Sequence, residues 1–187
     1  MVLNNKPQMF TVCFPSNFFY PEVIKKWQPI IERMKLPYTS VSDFMNQQIQ
    51  TITFPGLSVE PSTQQREQYT ITYPGGKELE QLISKTLSLT FKVTESYASY
   101  FIMWDQLDQY LHYAGPGLHD AGQAKKHCWL EPLYLAFLTD SGFQLTQYIF
   151  NELTPTSFSE IQLSYAAQIA NYNTFTLGLT YNKFDVR

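Results

Sequence analysis

The sequence predicts a mainly-β chain, a barrel or sandwich with one amphipathic helix at its open edge or end and a protruding hairpin arm. Three observations carry this expectation. Phe175 to Tyr181 alternates large apolar with small or polar residues, the period of a strand with one buried face. Leu87, Leu89, Phe91 and Val93 alternate in the same way with Ser88, Thr90 and Lys92. Tyr97, Tyr100, Phe101, Trp104, Leu107 and Leu111 then fall at helical spacing, which predicts an apolar helix face over 97–111.

The elements follow in chain order. Met9 to Phe14 alternates and ends at Pro15-Ser16-Asn17, a first strand. Val23, Ile24, Trp27, Ile30, Ile31 and Met34 keep helical spacing around Pro29. Proline removes an N–H and clashes with the preceding turn, so two short helical pieces or a kink are expected there. Pro37 closes the segment, and Ser42-Asp43 caps one further turn through Met45. Gln50 to Phe54 is a strand stopped by Pro55-Gly56, and Ser58 to Arg66 is a polar loop holding Pro61. Tyr69, Ile71 and Tyr73 alternate with Thr70 and Thr72 before the turn Pro74-Gly75-Gly76. We read 58–76 as an extended arm whose aromatic face needs cover.

Ala114 to Lys126 is a Gly-rich polar connection. Trp129 to Leu138 is a strand-pair element or one long strand, disrupted in its N-terminal half by Pro132. Asp140-Ser141-Gly142 turns the chain into a strand from Phe143 to Phe150, and Ile161, Leu163 and Tyr165 alternate in another.

At 187 residues the chain is read as a single domain, 1–187, able to bury a sizeable core. Charged residues are 16% against about 25% in an average domain, while aromatics are 16%, with 13 Tyr and 14 Phe. So little charge with so much Tyr points to surface buried against partners; a Tyr-rich monomeric β-domain is the alternative. The net charge of −3 arises in the last third, where Lys183 and Arg187 face Glu131, Asp140, Glu152, Glu160 and Asp185. No basic patch suits nucleic-acid phosphates; Lys25-Lys26 and Lys125-Lys126 are isolated, solvated pairs. The two cysteines, Cys13 and Cys128, are not a disulfide scaffold and are expected as small buried hydrophobes. The N-terminus shows no signal-peptide core, and no apolar run approaches the roughly 20 residues that span a bilayer. Assembly in a cytoplasm without a membrane anchor is therefore expected.

Candidate chemistry is thin. His112, His119, His127 and Cys128 match no metal-ligand spacing, so no metal and no cofactor is expected. Asp105 and Asp108 could share a helix face, but no second functional group accompanies them, and they are read as solvated. Gly75-Gly76-Lys77 lacks the phosphate-loop pattern, and Ser141 has no recognisable triad partners. No catalytic residue is assigned. The candidate interface residues are Tyr69, Ile71 and Tyr73, which could pair with a neighbouring copy's sheet or pack on their own domain.

Taken in order, several segments resemble the tail-tube proteins of contractile-tailed bacteriophages. Met9 to Phe14 is similar to their first strand. Ile49 to Ser58 resembles the strand ending in a Pro-Gly-Leu turn before their long loop. Leu87 to Val93 with the 97–111 helix resembles their strand-then-helix unit. The order of Asp140 to Gly142, Tyr148 to Asn151, Pro155 to Leu163 and Asn173 to Tyr181 resembles their final strands. Departures are the insertion around Pro21 to Met45 and the Gly/His stretch at 114–127. The resemblance implies two antiparallel sheets with a flanking helix, six copies in a ring, and rings stacked into a tube. It implies partnership with tail sheath and baseplate proteins, location in the virion tail, and a neutral-to-acidic lumen that passes DNA without specific binding. A baseplate-proximal tube initiator fits the same features.

Two readings of other classes compete. A monomeric ligand-binding β-sandwich would use Trp104 or Trp129 as a stacking platform, which a core-facing Trp104 argues against. A hydrolase would use Asp105 or Asp108.

Overall fold

The computed structural model describes residues 10–35, 37–53, 55–56, 62–66, 69–73, 85–94, 96–114, 129–139, 142–161 and 173–187. Ten strands and three helices are described. In order they are β1 (Phe10–Cys13), α1 (Pro21–Arg33), α2 (Val41–Gln48), β2 (Ile49–Thr53), β3 (Ser62–Arg66) and β4 (Tyr69–Tyr73). Then come β5 (Thr86–Lys92), α3 (Ala98–Ala114), β6 (Leu133–Leu138), β7 (Gln144–Asn151), β8 (Thr154–Phe158), β9 (Thr174–Thr180) and β10 (Lys183–Val186).

The strands form two four-stranded sheets, ordered β1-β6-β7-β10 and β2-β5-β9-β8, and a separate β3-β4 ribbon. Every pairing is antiparallel. The fold class is thus mainly β, as the alternation predicts. The two sheets share one bent ladder. β7 passes into β8 through Glu152-Leu153, and β9 passes into β10 through Tyr181-Asn182. Asn151 pairs with Lys183 on one side of the corner and Thr154 with Thr180 on the other. The Asn182 N–H donates to the Asn151 carbonyl at the corner itself. Glu152 takes a positive φ of 56° there, the kind of local distortion by which strands switch sheets. Among the described residues the result is one curved sheet whose outer strands are β1 and β2, which line a common gap.

Burial follows strand parity. Leu87, Leu89 and Phe91 of β5 and Phe175, Leu177 and Leu179 of β9 are buried. The Phe91 and Phe175 rings stack at 4.9 Å across the pair. Gly178 sits opposite Ser157, and a Cβ there would meet the Ser157 hydroxyl oxygen at 2.3 Å. Asp140 and Ser141 lie outside the described residues, but Gly142, at φ 81°, donates to the Thr139 carbonyl and completes the expected turn.

Several expectations are corrected. Of the two alternatives at Pro29, separate helical pieces are ruled out: α1 runs through it as one helix, with Pro29 exposed, Val23 and Ile31 buried, and Pro21 presetting the first turn. α2 is capped by Ser40, whose hydroxyl accepts from the Asp43 N–H at 3.1 Å, and it continues to Gln48. Ser42 is buried instead and donates to the Pro15 carbonyl. Part of the expected loop 58–66 is strand β3; Thr63, Gln64 and Gln65 are all exposed, so no burial imposes an apolar alternation on them. β8 precedes Ile161, which lies beyond the strand's end, and Leu163 and Tyr165 lie outside the described residues. Cys13 is exposed, because β1 turns Phe10 and Val12 inward and Thr11 and Cys13 outward. Cys128 lies outside the described residues.

The largest correction concerns α3. Its buried residues are Ala98, Ser99, Ile102, Met103, Gln106 and Tyr110. Phe101 (49% exposed), Trp104 (53%) and Leu111 point outward. Of the expected stripe, Tyr97, Tyr100 and Leu107 do pack against the core; the helix is apolar on more than one side, so periodicity places the stripe's centre too far toward Phe101 and Trp104. Among the described residues, no helix is long and apolar enough to cross a membrane.

Candidate assembly surfaces

The β3-β4 arm pairs in register from Ser62–Tyr73 to Arg66–Tyr69. All five residues of β4 are exposed. Tyr69, Ile71 and Tyr73 share one face and are 74%, 37% and 43% exposed. The structure therefore keeps the three predicted interface residues together and does not pack them into the core.

A second apolar surface was missed in the sequence. Trp104 meets Phe158 of β8 edge-on at 6.1 Å, and Tyr100 contacts Phe101, Trp104, Phe158 and Phe175. The signal was present in the helix itself, which carries more large apolar residues than one core-facing stripe accommodates. Trp129 is also half-exposed.

A third feature is a cavity of about 510 Å³ lined by Phe10, Thr11, Val12, Asn46, Gln47, Ile49, Gln50 and Thr51. These residues are β1, the end of α2 and the start of β2, so the cavity is the gap in the curved sheet. Asn46, one of the lining residues, is tied to the Phe14 backbone. Its Oδ1 accepts from the Phe14 N–H at 2.7 Å and its Nδ2 donates to the Phe14 carbonyl at 3.4 Å.

The ionisable groups are structural in their contacts. Asp105 is not a solvated carboxylate: its Oδ2 accepts from Lys26 Nζ and from the Trp27 indole N–H, each at 2.6 Å. Asp108 is exposed, so the pair does not converge on a site. Burial, then the neighbouring Tyr110, Tyr113, Glu131 and Glu22, push the Tyr20 phenol up to about 12. The charge of Glu22, which accepts from the Tyr113 hydroxyl at 3.2 Å, raises Tyr113 as well. Lys183 Nζ donates to Glu152 at 2.7 Å, holding that carboxyl below its usual range and the ammonium above its own. Part of the acidic charge of the last third is thereby neutralised within the chain. Among the described residues no group of three or more His, Cys, Asp or Glu could hold a metal ion; His119 and His127 lie outside them.

No protein-family model and no curated protein matches this chain. Among solved structures it is similar to a chain of the anti-feeding prophage baseplate, seen by cryo-EM with six-fold symmetrisation. That likeness has a TM-score of 0.48 at 12% identity, over 100% of this chain and 97% of that one. It is similar to the cap that terminates the anti-feeding prophage tube (TM-score 0.46, 9% identity, 74% of this chain and 79% of that one). It is also similar to a chain of the PVC sheath-tube complex of an extracellular contractile injection system in the extended state (TM-score 0.42, 14% identity, 74% and 80%).

Proposed function

We propose that this chain is a non-catalytic structural subunit of a contractile injection tube, with six copies in each ring and rings stacked end to end. The observation that carries the reading is the arm. β4 places Tyr69, Ile71 and Tyr73 on one exposed face, and an exposed strand with an apolar face is a template for another chain. The ordered sequence resemblance to tail-tube proteins supports the tube class. Sheath and baseplate proteins are the expected partners of such a tube.

In its finer form the reading is a bacteriophage tail tube, located in the virion and assembled in the host cytoplasm, whose lumen passes DNA without binding it. A baseplate-proximal initiator is the variant within that form. Function is then mechanical: stacked rings transmit force and keep an open channel, and permanent interfaces of this kind are large and apolar.

Electron microscopy of the purified protein across a concentration series, with mass measured in parallel, tests the class. Rings or tubes with a central hole are expected. A monomer at every concentration, also when candidate baseplate proteins are added, overturns it. One observation favours the rival binding module: Trp104 is exposed rather than core-facing. It does not line the cavity between β1 and β2, and the same concentration series separates the two readings.

A further inference from the structure

We infer that the β3-β4 arm lays its aromatic face across the outer side of α3 in a second copy of this chain. This rests on the assembly reading above and names the surface that receives the arm.

The arm needs a surface. β3 and β4 form a two-stranded sheet of their own, and such a ribbon is marginal in water unless it packs on something. The two strands pair with each other along their whole length, so what the arm offers is a face. That face holds Tyr69, Ile71 and Tyr73, all exposed. α3 in turn needs a cover. Phe101, Trp104, Asp108 and Leu111 recur at intervals of three, four and three residues, which makes them one stripe of the helix. All four are exposed, on the side opposite the buried Ile102, Met103, Gln106 and Tyr110. Both surfaces are exposed in the same chain, so they do not cover each other there, and the contact is between copies.

The dimensions agree. Tyr69 to Tyr73 spans about 13 Å at the rise of a strand, and Phe101 to Leu111 spans about 15 Å at the rise of a helix. The charges agree as well. Arg66, which pairs with Tyr69, is the one charged residue in β3 and β4. The acidic residues of α3 are Asp105 and Asp108. Asp105 is taken by Lys26 and Trp27, whereas Asp108 has no hydrogen bond or ion pair among the described residues. A cation at the Tyr69 end of the arm and an anion in the stripe set the direction of docking. Tyr69 then lies toward Asp108 and Leu111, and Tyr73 toward Phe101. The Tyr69 hydroxyl can also donate to Asp108, as the Tyr113 hydroxyl does to Glu22 within the chain. A contact between two different surfaces is head-to-tail, so it closes into a ring or runs on as a stack.

Photo-crosslinking tests the contact. The full chain carries p-benzoylphenylalanine in place of Tyr69 or Tyr73, where an aromatic ring already stands, or in place of Thr72 on the opposite face. It is mixed with heavy-isotope-labelled native chain, assembled, irradiated, digested and analysed by peptide mass, and the same sample is imaged by electron microscopy. Links to labelled α3 are expected from position 73 at the Phe101 end and from position 69 at the Leu111 end. They should be lost when the probe stands at position 72. Rings or tubes whose arm links elsewhere overturn this inference and leave the tube reading standing. Links to labelled α3 without rings or tubes support the inference and remove the tube reading; monomers with no link remove both. Links to unlabelled α3 alone show closure within the chain and overturn the two-copy arrangement. Links from position 72 as abundant as those from 73 overturn the assigned face, and the reverse order along α3 overturns the assigned direction.

Discussion

The side chain of Gln106 donates from Nε2 to the carbonyl of Phe18, 2.8 Å away, in the interior of the protein. Its Oε1 accepts from the Tyr20 N–H at 2.9 Å. One buried amide on α3 thereby satisfies the backbone of the segment that leads into α1, which would otherwise bury two unpaired polar groups. Leaving such a group unsatisfied costs about 1–3 kcal/mol. Gln106→Ala should therefore lower stability by at least about 2 kcal/mol, measured by urea denaturation. A loss near zero would mean that water replaces the amide.

Asp105 separates two contributions to the α1–α3 contact. Lys26 is the more exposed member of its ion pair, and such pairs contribute about 0–1 kcal/mol. The Trp27 indole is partly buried, and the carboxylate is its acceptor. Lys26→Ala should be nearly silent, while Asp105→Ala should cost about 1–3 kcal/mol. Equal effects in thermal melts would show that the ion pair, not the indole bond, dominates.

Leu89 tests the protomer core. It is fully buried in β5, between β2 and β9. Leu89→Ala should destabilise the chain by about 2–5 kcal/mol in urea denaturation, and assembly should weaken only as folding does.

These sites show which parts of the fold were legible in the sequence. β5 and β9 alternate because one face of each is buried and the other is not, so their pattern is written in the residues. β3 was missed because its described side chains are all exposed, and nothing selects for hydrophobic alternation there. β8 was misplaced because Thr154, Pro155, Thr156 and Ser157 carry no apolar signal, and a ladder with β9 decides their conformation. The face of α3 was only partly assigned, for the opposite reason: Tyr97, Tyr100 and Leu107 do pack on the core, but Phe101 and Trp104 look like core residues and are exposed, while Ser99 and Gln106, which do not, are buried and hydrogen-bonded. Of the candidate surfaces, the common exposed face of Tyr69, Ile71 and Tyr73 was readable by parity, whereas the β1–β2 gap exists only after distant strands meet.

Tyr20 predicts an alkaline effect. Its folded value of about 12 lies above the ordinary 10.0, so folding favours the protonated phenol. The stabilisation is complete below pH 10 and is lost as the pH rises through 12. In a titration followed by tyrosinate absorbance, Tyr20→Phe should remove one residue from the late-ionising class. The variant should also flatten the fall of stability across that alkaline window. An unchanged late class would show that Tyr20 ionises like a solvated phenol.

Ile71→Lys distinguishes assembly from folding. The side chain lies on the exposed face of the arm, outside the core cluster, and surface substitutions of that kind usually shift stability by no more than about 0.5 kcal/mol. The monomer should therefore melt almost as the native chain does. In an assembled contact the ammonium would be desolvated without a partner, which is strongly unfavourable. Rings or tubes should be lost at concentrations where the native chain forms them, as read by electron microscopy and mass. Thr72→Lys, on the opposite face of the same strand, should fold equally well and impair assembly less, because its charge can stay in water. Normal assembly by Ile71→Lys would remove the apolar face of the arm from any subunit contact.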